Sequence, residues 1–265
     1  MPRSVTCVLT TKTLAAREGF AVTSAACGGG RARWSEVEAH GEYRLVLVRR
    51  GRFRRSAAGT EADLDPTLGY LAAPGEEERF AHPAGGDVCT SVTFSPSLWE
   101  TRPRARVVYV DARVDLAHRR VLASAAGGDL DYAVTEELLT LVAVAAEQQA
   151  LPRRAADRAL VAAAREAIIE GAREAGSLCT LATLLKVSPY RLSRSFSRQM
   201  GVSLTRYRNR VRVADAMDRL ADGEVSLAAL AADLGFSDQA HLTRTVREHL
   251  GHTPTALRRL LVPSC

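Results

Sequence analysis

The stretch Ser226-Leu-Ala-Ala-Leu-Ala-Ala-Asp-Leu-Gly-Phe-Ser237, which continues to residue 251, is a second version of an earlier stretch. The earlier version reads Ser177-Leu-Cys-Thr-Leu-Ala-Thr-Leu-Leu-Lys-Val-Ser188 and continues to residue 201. We call residues 177–201 copy 1 and residues 226–251 copy 2. Corresponding residues lie 49 positions apart up to Ser237 and 50 positions apart afterwards, so copy 2 holds one extra residue just after Ser237. A repeat that occurs only twice is too short for a solenoid, so the fold depends on what one copy builds.

Each copy has the pattern of two short helices joined by a tight turn. In copy 1, Leu181 and Leu185 lie on one apolar face at helical spacing. Ser188 and Pro189 are typical of a helix start, and Gly201 is typical of a helix end. Copy 2 repeats this order of features, so the sequence predicts two helix-turn-helix units. An ordinary pair of helical hairpins would show the same spacing.

The polar face of each second helix, which we call the recognition helix, favours DNA binding over simple packing. Both faces lack acidic residues across their central turns, and Arg194 and Arg244 lie at the same repeat position. Arginine in a major groove can contact guanine through two hydrogen bonds, and serine or threonine can bond bases or phosphates. These features predict that both helices read DNA.

The distribution of charge points the same way. Residues 177–261 hold 13 Lys and Arg against 7 Asp and Glu, whereas the remainder holds 23 of each. The whole formal charge of +6 therefore lies in the repeat region. A basic segment attached to a neutral one is typical of a nucleic-acid-binding module.

Residues from about 160 to 261 resemble the DNA-binding domain of AraC/XylS-type transcription regulators. The resemblance rests on residues 231–251 and on Thr253-Pro254-Thr255, and copy 1 matches through residues 188–196 and 201–204. It implies two helix-turn-helix units joined by a long helix over residues 204–221, with the recognition helices in successive major grooves on one DNA face. It also implies base-facing side chains, which are Tyr190, Ser193, Arg194, Ala240, Thr243 and Arg244.

Two further expectations concern the detail of DNA contact. Ala240 stands where relatives often carry a larger polar residue, and its methyl group could pack against a thymine methyl. Arginines of the linking helix either contact phosphates or cover the helix with their stems. The predicted contacts to the DNA backbone are Arg191, Arg198, Arg208, Arg210, Gln239 and Arg247.

The first hundred residues have the pattern of a β domain. Short segments rich in β-branched or aromatic residues alternate with glycines and prolines, as in a barrel or sandwich. The predicted strands are residues 5–10, 20–27, 43–50, 52–56, 68–73 and 88–95. This half is similar to the cupin-like sensor domain of many regulators of the same family. We therefore predict an α+β fold class, with an N-terminal cupin-like β-barrel or sandwich domain and a C-terminal all-α domain with two helix-turn-helix units.

A cupin-like barrel raises an alternative function, namely an enzyme or a small-molecule-binding protein whose helical half serves assembly. Metal-dependent cupins hold their ion with closely spaced histidines and a carboxylate. Before the repeats the chain has only His40, His82 and His118, widely separated and without a His-x-His pair. It also lacks a glycine-rich phosphate loop and a Gly-x-Ser-x-Gly motif. The sequence therefore predicts no catalytic residue, no metal and no cofactor.

The five cysteines favour reduced thiols in a cytoplasmic protein. Their number is odd, no C-x-x-C spacing occurs, and neither a signal peptide nor a transmembrane run is present. Cys7, Cys27 and Cys89 lie on predicted strands, so we expect them to face the core. A redox-sensing role for some of them is the alternative.

The predicted domains are a cupin-like sensor over residues 1–105, a helical dimerisation or linker segment over residues 106–153, and the double helix-turn-helix domain over residues 154–262. In the middle segment we expect two helices broken at Gly127 and Gly128. The apolar band of the second would either pack against the barrel or form a dimer contact. A further helix over residues 155–173 would open the DNA-binding domain.

The predicted function is sequence-specific transcription regulation, as an activator or a repressor. The expected partners are double-stranded DNA, RNA polymerase by the resemblance, a second copy of the chain, and a small-molecule effector in the barrel of about residues 5–95. No membrane partner is expected. The only lysines are Lys12 and Lys186, and this preference for arginine is typical of a GC-rich bacterial genome.

Overall fold

The computed structural model describes residues 9–28, 33–83, 85–98, 106–127, 130, 132–148, 157–223 and 226–261. The chain forms two compact units. The β unit comprises Met1–Val110 and Val121–Ala150, and the helical unit comprises Asp111–Arg120 and Leu151–Cys265. Because the division at residues 120 and 121 falls inside one helix, the chain contributes to the helical unit twice.

The β unit contains two antiparallel sheets. The larger has six strands in the order β1-β2-β8-β3-β6-β9, and the smaller has three in the order β5-β4-β7. This arrangement confirms the predicted N-terminal β-barrel or sandwich domain. The strands are β1 (Leu9–Arg17), β2 (Phe20–Cys27), β3 (Tyr43–Arg50), β4 (Phe53–Ala57), β5 (Thr60–Leu64), β6 (Leu68–Ala72), β7 (Glu78–Ala81), β8 (Asp87–Phe94) and β9 (Arg106–Tyr109).

The predicted strands agree with the structure where both faces of a strand are buried or where buried and partly exposed residues alternate clearly. The bounds of β2 and β3 are confirmed, and those of β4, β6 and β8 differ by one residue. The prediction over residues 5–10 is wrong in its extent, because β1 runs on to Arg17, and residues 5–8 lie outside the described part. β1 is an edge strand and mostly exposed, so no buried pattern marks it. The short strands β5, β7 and β9 were not predicted.

The interior of the β unit lies under the six-stranded sheet. Val22, Leu45 and Val92 are fully buried there, and the rings of Tyr43 and Phe94 stack with centroids 5.5 Å apart. Helix α2 (Ala133–Glu147) belongs to the same unit and buries one face of apolar residues. The sequence allowed this apolar band either to pack against the barrel or to form a dimer contact, and its burial agrees with packing within the β unit. The buried residues of α2 are Val134, Leu138, Leu141, Val142 and Ala145.

The helical unit contains the two predicted helix-turn-helix pairs. These are α4 with α5 and α7 with α8, and the linking helix α6 has the predicted bounds. The helix predicted over residues 155–173 is shorter than expected, since α3 ends at Ile169 and Gly171 turns the chain with φ +66°. The helices are α1 (Ala112–Gly127), α3 (Arg158–Ile169), α4 (Leu178–Leu184), α5 (Pro189–Met200), α6 (Leu204–Ala221), α7 (Leu227–Asp233), α8 (Gln239–Leu250) and α9 (Pro254–Leu261).

Each helix-turn-helix pair packs on a different part of α6. In copy 1, Phe196 of α5 meets Tyr207 of α6 edge to face, with ring centroids 5.0 Å apart. In copy 2, a larger apolar cluster joins α6, α7, α8 and α9 to the first turns of α1. Helix α6 is therefore the common support of both copies. Within the described residues, no helix is long and apolar enough to span a membrane.

Candidate nucleic-acid interface

The helix starts of copy 1 match the sequence prediction. The Ser177 hydroxyl accepts a hydrogen bond from the Thr180 backbone N–H at 3.1 Å and starts α4 with a capping box. Ser188 accepts from the Arg191 N–H at 3.2 Å, with Pro189 at the first helical position of α5. Caps of this kind satisfy N–H groups that have no partner within the helix. The first recognition helix therefore begins and ends where the sequence indicated.

Copy 2 uses its extra residue as the cap of its recognition helix. The Asp238 carboxylate, and not the Ser237 hydroxyl, accepts a hydrogen bond from the His241 N–H at 2.6 Å. Asp238 therefore does for α8 what Ser188 does for α5, and the turn before it is one residue longer. The carboxylate also lies at the positive end of the α8 dipole, where a negative charge is stabilising.

The two recognition helices bury the same repeat positions and expose the same repeat positions. The buried side chains are Leu192, Ser195, Phe196 and Met200 in α5, and Leu242, Thr245, Val246 and Leu250 in α8. The exposed or half-buried side chains include all six residues predicted to face DNA bases, which are Tyr190, Ser193, Arg194, Ala240, Thr243 and Arg244. The structure thus brings three of them together on each helix.

The arginine at the centre of each face has a different environment. The Arg194 Nη1 donates a hydrogen bond to the Tyr190 hydroxyl at 2.8 Å, and its guanidinium lies 5.4 Å from the centroid of the Tyr190 ring. In copy 2 the residue at the Tyr190 position is Ala240. Arg244 is exposed, and no hydrogen bond or ion pair joins its side chain to another described residue. Arg194 is therefore held over a ring, whereas Arg244 extends into solvent.

A residue that the sequence analysis missed, Asp157, contacts the first recognition helix. Its Oδ1 lies 2.8 Å from the Arg191 Nη2, and its Oδ2 accepts a hydrogen bond from the Ser195 hydroxyl at 2.7 Å. These hydrogen bonds and the positive charges of Arg191 and Arg198 lower the pKa of Asp157. Asp157 has a φ of +66°, which is uncommon for a residue with a Cβ. Its partners lie 34 and 38 positions away, so no local pattern reveals the contact.

The predicted DNA-backbone contacts fall into three groups by burial. Arg210 does not fit its prediction, because it is 3% exposed and its Nη2 lies 3.3 Å from the Asp115 carboxylate. A guanidinium buried in this way cannot reach a phosphate, so we remove Arg210 from the set. Arg208 is half-buried. The exposed members are Arg191, Arg198, Gln239 and Arg247.

The β unit carries a charged cluster between its two sheets. The fully buried Glu78 carboxylate pairs with the guanidinium groups of Arg44 and Arg55, and Arg55 also pairs with Glu76 at 2.9 Å. The Arg55 guanidinium lies 4.2 Å from the centroid of the Tyr70 ring, and burial raises the pKa of Tyr70. An open cleft of about 460 Å³ lies beside the β4–β5 turn. Its lining includes Val37, Ser56, Ala57, Glu76, Glu77 and Arg79.

One group of possible metal ligands occurs in the described part of the chain. Donor atoms of Cys27, His82 and Asp87 lie within 4.8 Å of one another, a proximity that a search for paired histidines cannot detect. Cys27 is disulfide-bonded, so its sulfur is not a thiolate that could bind a metal. The expectation of reduced thiols is therefore wrong for Cys27, and Cys7 lies outside the described residues. Cys89 is a free buried thiol, and burial and the Asp87 carboxylate raise its pKa.

Comparison with known proteins finds similarity for part of the helical unit. Residues 181–260 match the family described as a helix-turn-helix domain. The regulatory protein PocR of Salmonella typhimurium is 30% identical over 79 residues, which are 30% of this chain and 26% of PocR. The arabinose operon regulatory protein of Escherichia coli is 28% identical over 81 residues, which are 31% of this chain and 28% of that protein. The chain thus matches little more than a quarter of the length of these relatives.

A solved structure is similar over nearly the whole chain. ToxT from Vibrio cholerae aligns over 94% of this chain and 100% of its own, with 9% sequence identity and a TM-score of 0.37.

Proposed function

We propose that this chain, whose residues 181–260 match a helix-turn-helix domain family, is a sequence-specific DNA-binding transcription regulator of the AraC type. The observation that carries the proposal is the pair of exposed arginines, Arg194 and Arg244, at matched positions of two capped helices. A lone exposed arginine is usually only solvated. Two exposed arginines at the same repeat position, each on the helix face opposite the buried side chains, are suited to reading DNA.

Both recognition helices enter the major groove in this proposal. Each arginine donates two hydrogen bonds to a guanine, and Ser193 and Thr243 bond bases or phosphates beside it. The Ala240 methyl group packs against a thymine methyl. The two contacted steps lie on one DNA face about one helical turn apart, roughly 34 Å. The positive charge of residues 177–261 supplies affinity that falls steeply with salt.

The rest of the chain takes supporting roles in the same proposal. Residues 1–105 form a cupin-like sensor for a small-molecule effector, residues 106–153 form the linker, and residues 154–262 bind DNA. The further partners are RNA polymerase and a second copy of the chain. The protein acts in the bacterial cytoplasm, where the chromosome lies, and it is not an enzyme.

A binding selection on randomised DNA duplexes tests the proposal. The wild-type chain should enrich a two-part site, and Arg194→Ala or Arg244→Ala should each relax the preference at one step only, with a loss of about 1–3 kcal/mol. Arg247→Ala is the matched control, since a lost phosphate contact should weaken binding to all sequences and reduce the salt slope by about one. If neither Arg194→Ala nor Arg244→Ala changes the preferred sequence, these residues are not readers. If the wild type enriches no sequence, the helical half serves assembly instead.

A further inference from the structure

The first turns of α1 are part of the helical unit. Asp111–Arg120 belongs to this unit, although the rest of α1 does not. Ala112 and Leu116 are 1% and 8% exposed, and they join the apolar cluster that contains Val213 and Met217 of α6. This segment, about two and a half turns of helix, therefore completes the core under copy 2.

Ion pairs accompany the apolar contact between α1 and α6. The Asp115 carboxylate lies 3.3 Å from the Arg210 Nη2 and 3.0 Å from the Arg119 Nε. Arg119 also pairs with Asp218, two turns further along α6. Residues of α1 thus hold α6 at two places.

The pair between Asp115 and Arg210 is buried. The side chains of Asp115 and Arg210 are 13% and 4% exposed. Burial raises the pKa of Asp115, but the charges of Arg210 and Arg119 outweigh it, and the net pKa is lowered. The carboxylate is therefore ionised at neutral pH. The ion pair therefore attaches the middle of α6 to α1, and loss of either partner would weaken this attachment.

Helix α6 sets the distance between the recognition helices. It has 18 residues, so it is about 27 Å long. Near its start Tyr207 contacts Phe196 of copy 1, and further along the Arg212 guanidinium lies 5.2 Å from the centroid of the Phe236 ring of copy 2. Arg210 lies between these two contacts in sequence. A bend of α6 near Arg210 would therefore change the placement of α5 relative to α8.

We propose that Asp115 is a positioning residue for DNA recognition, which holds α6 through Arg210 and thereby fixes the distance between the two recognition helices. This inference rests on the proposed function, because it assumes that both helices bind DNA. Asp115 touches no DNA in it. The expected effect is on the tolerated spacing of the two half-sites rather than on the bases that are read.

The experiment uses the full chain and the two-part site that the wild type enriches from randomised duplexes. Duplexes in which the two half-sites are moved closer or further apart are then compared with the enriched spacing. The wild type should prefer its own spacing, and Asp115→Asn should reduce this preference about tenfold, within the range typical of coupling between sites. Asp222→Asn is the matched control, since it removes the same charge from an exposed position at the end of α6 and should keep the preference.

A double variant separates positioning from stability. Asp115→Asn with Arg210→Gln removes both charges of the pair, so its resistance to unfolding should recover relative to Asp115→Asn alone. The spacing preference should stay low, because the ion pair is still absent. If Asp115→Asn does not fold, the double variant carries the test.

The outcomes distinguish the inference from the proposed function. If the wild type enriches a two-part site and the variants keep its spacing preference, the inference is wrong and the proposed function stands. If the double variant recovers the spacing preference together with stability, Asp115 has a structural role only, and the inference is again wrong. If the wild type enriches no sequence at all, both fail.

Discussion

The two helix-turn-helix copies bury the same repeat positions, but the exposed arginines of their recognition helices have different neighbours. Leucine fills the same core position in both recognition helices, as Leu192 and Leu242. The reading arginine of copy 1 rests on Tyr190, whereas Arg244 of copy 2 has only Ala240 in the corresponding place. Repetition of the core therefore does not imply repetition of the surface. We expect copy 1 to present a preorganised reader and copy 2 an adaptable one.

The aromatic support of the copies also differs. Copy 1 places Phe196 within its recognition helix, against Tyr207 of α6. Copy 2 has Val246 at that repeat position and places its aromatic residue, Phe236, in the turn, where it meets Arg212 and His241. The aromatic contact with α6 is thus made from the recognition helix in copy 1 and from the turn in copy 2.

The largest expected difference between the copies is in core stability. Phe196→Ala should lower the free energy of unfolding by about 3–5 kcal/mol, because it removes a fully buried ring and leaves a cavity. Val246→Ala removes only two methyl groups at the matched position and should cost about 2 kcal/mol. Denaturant unfolding followed by helical circular dichroism measures both. Equal losses would show that the aromatic contact of Phe196 with Tyr207 adds nothing.

A smaller difference is expected in DNA affinity, because Tyr190 contacts Arg194 in copy 1 and no described residue of copy 2 makes an equivalent contact to Arg244. Tyr190→Phe keeps the ring but removes the hydroxyl that accepts from Arg194, so binding to the first half-site should weaken by about 0.5–1.5 kcal/mol. The second half-site should be unaffected. Titration of duplexes that carry either half-site alone measures this. An increase in affinity would mean that the phenol restrains Arg194 away from DNA.

A still smaller difference in stability is expected from the turns of the two copies. Lys186 and Gly235 occupy the same repeat position and have φ values of +55° and +71°. Lys186→Gly should stabilise copy 1 by about 1 kcal/mol or less, since a Cβ disfavours this conformation but glycine also loosens the unfolded chain. Gly235→Ala should destabilise copy 2, where a Cβ would also lie 2.9 Å from the Arg212 Nη2. Thermal unfolding checks both, and a destabilising Lys186→Gly would contradict the comparison.

The smallest expected difference is a dependence on pH in the acid range, which Asp157 gives to the first recognition helix. The pKa of Asp157 is lowered in the folded protein, so its contribution to stability is present above the ordinary carboxyl pKa. That contribution should be lost as the pH falls through the lowered value. Wild type and Asp157→Asn should therefore differ at neutral pH and converge in acid, as measured by hydrogen exchange of α5 amides. A difference that persists in strong acid would show that charge is not the cause.

Much of the helical unit could be predicted because its determinants are local. Ser188 and Gly201 mark the ends of α5, and the apolar spacing in each copy identifies the buried face. The six predicted base-facing residues lie on exposed or half-buried faces for the same reason, since a helix converts spacing into direction. Whether they contact DNA stays a prediction.

The errors arise where a partner lies far along the chain. Arg210 looks like its exposed arginine neighbours in the sequence, and only Asp115, almost a hundred positions earlier, shows why it is buried. The strands β7 and β9 are short, and they pair with strands that lie more than twenty positions earlier in the chain. Such long-range contacts leave no periodic pattern near the residue itself.

The helical unit consists of two separate stretches of the chain, and this limits where the protein can be joined to a domain from another protein. A recombination that joined a foreign sensor to this protein at residue 151 would leave Asp111–Arg120 behind. The transferred portion would then carry the apolar faces of Val213 and Met217 without the side chains that cover them. The part that must be transferred as a unit is therefore longer than the repeat region. A working chimera must also contain Asp111–Arg120 or residues that cover the same apolar faces.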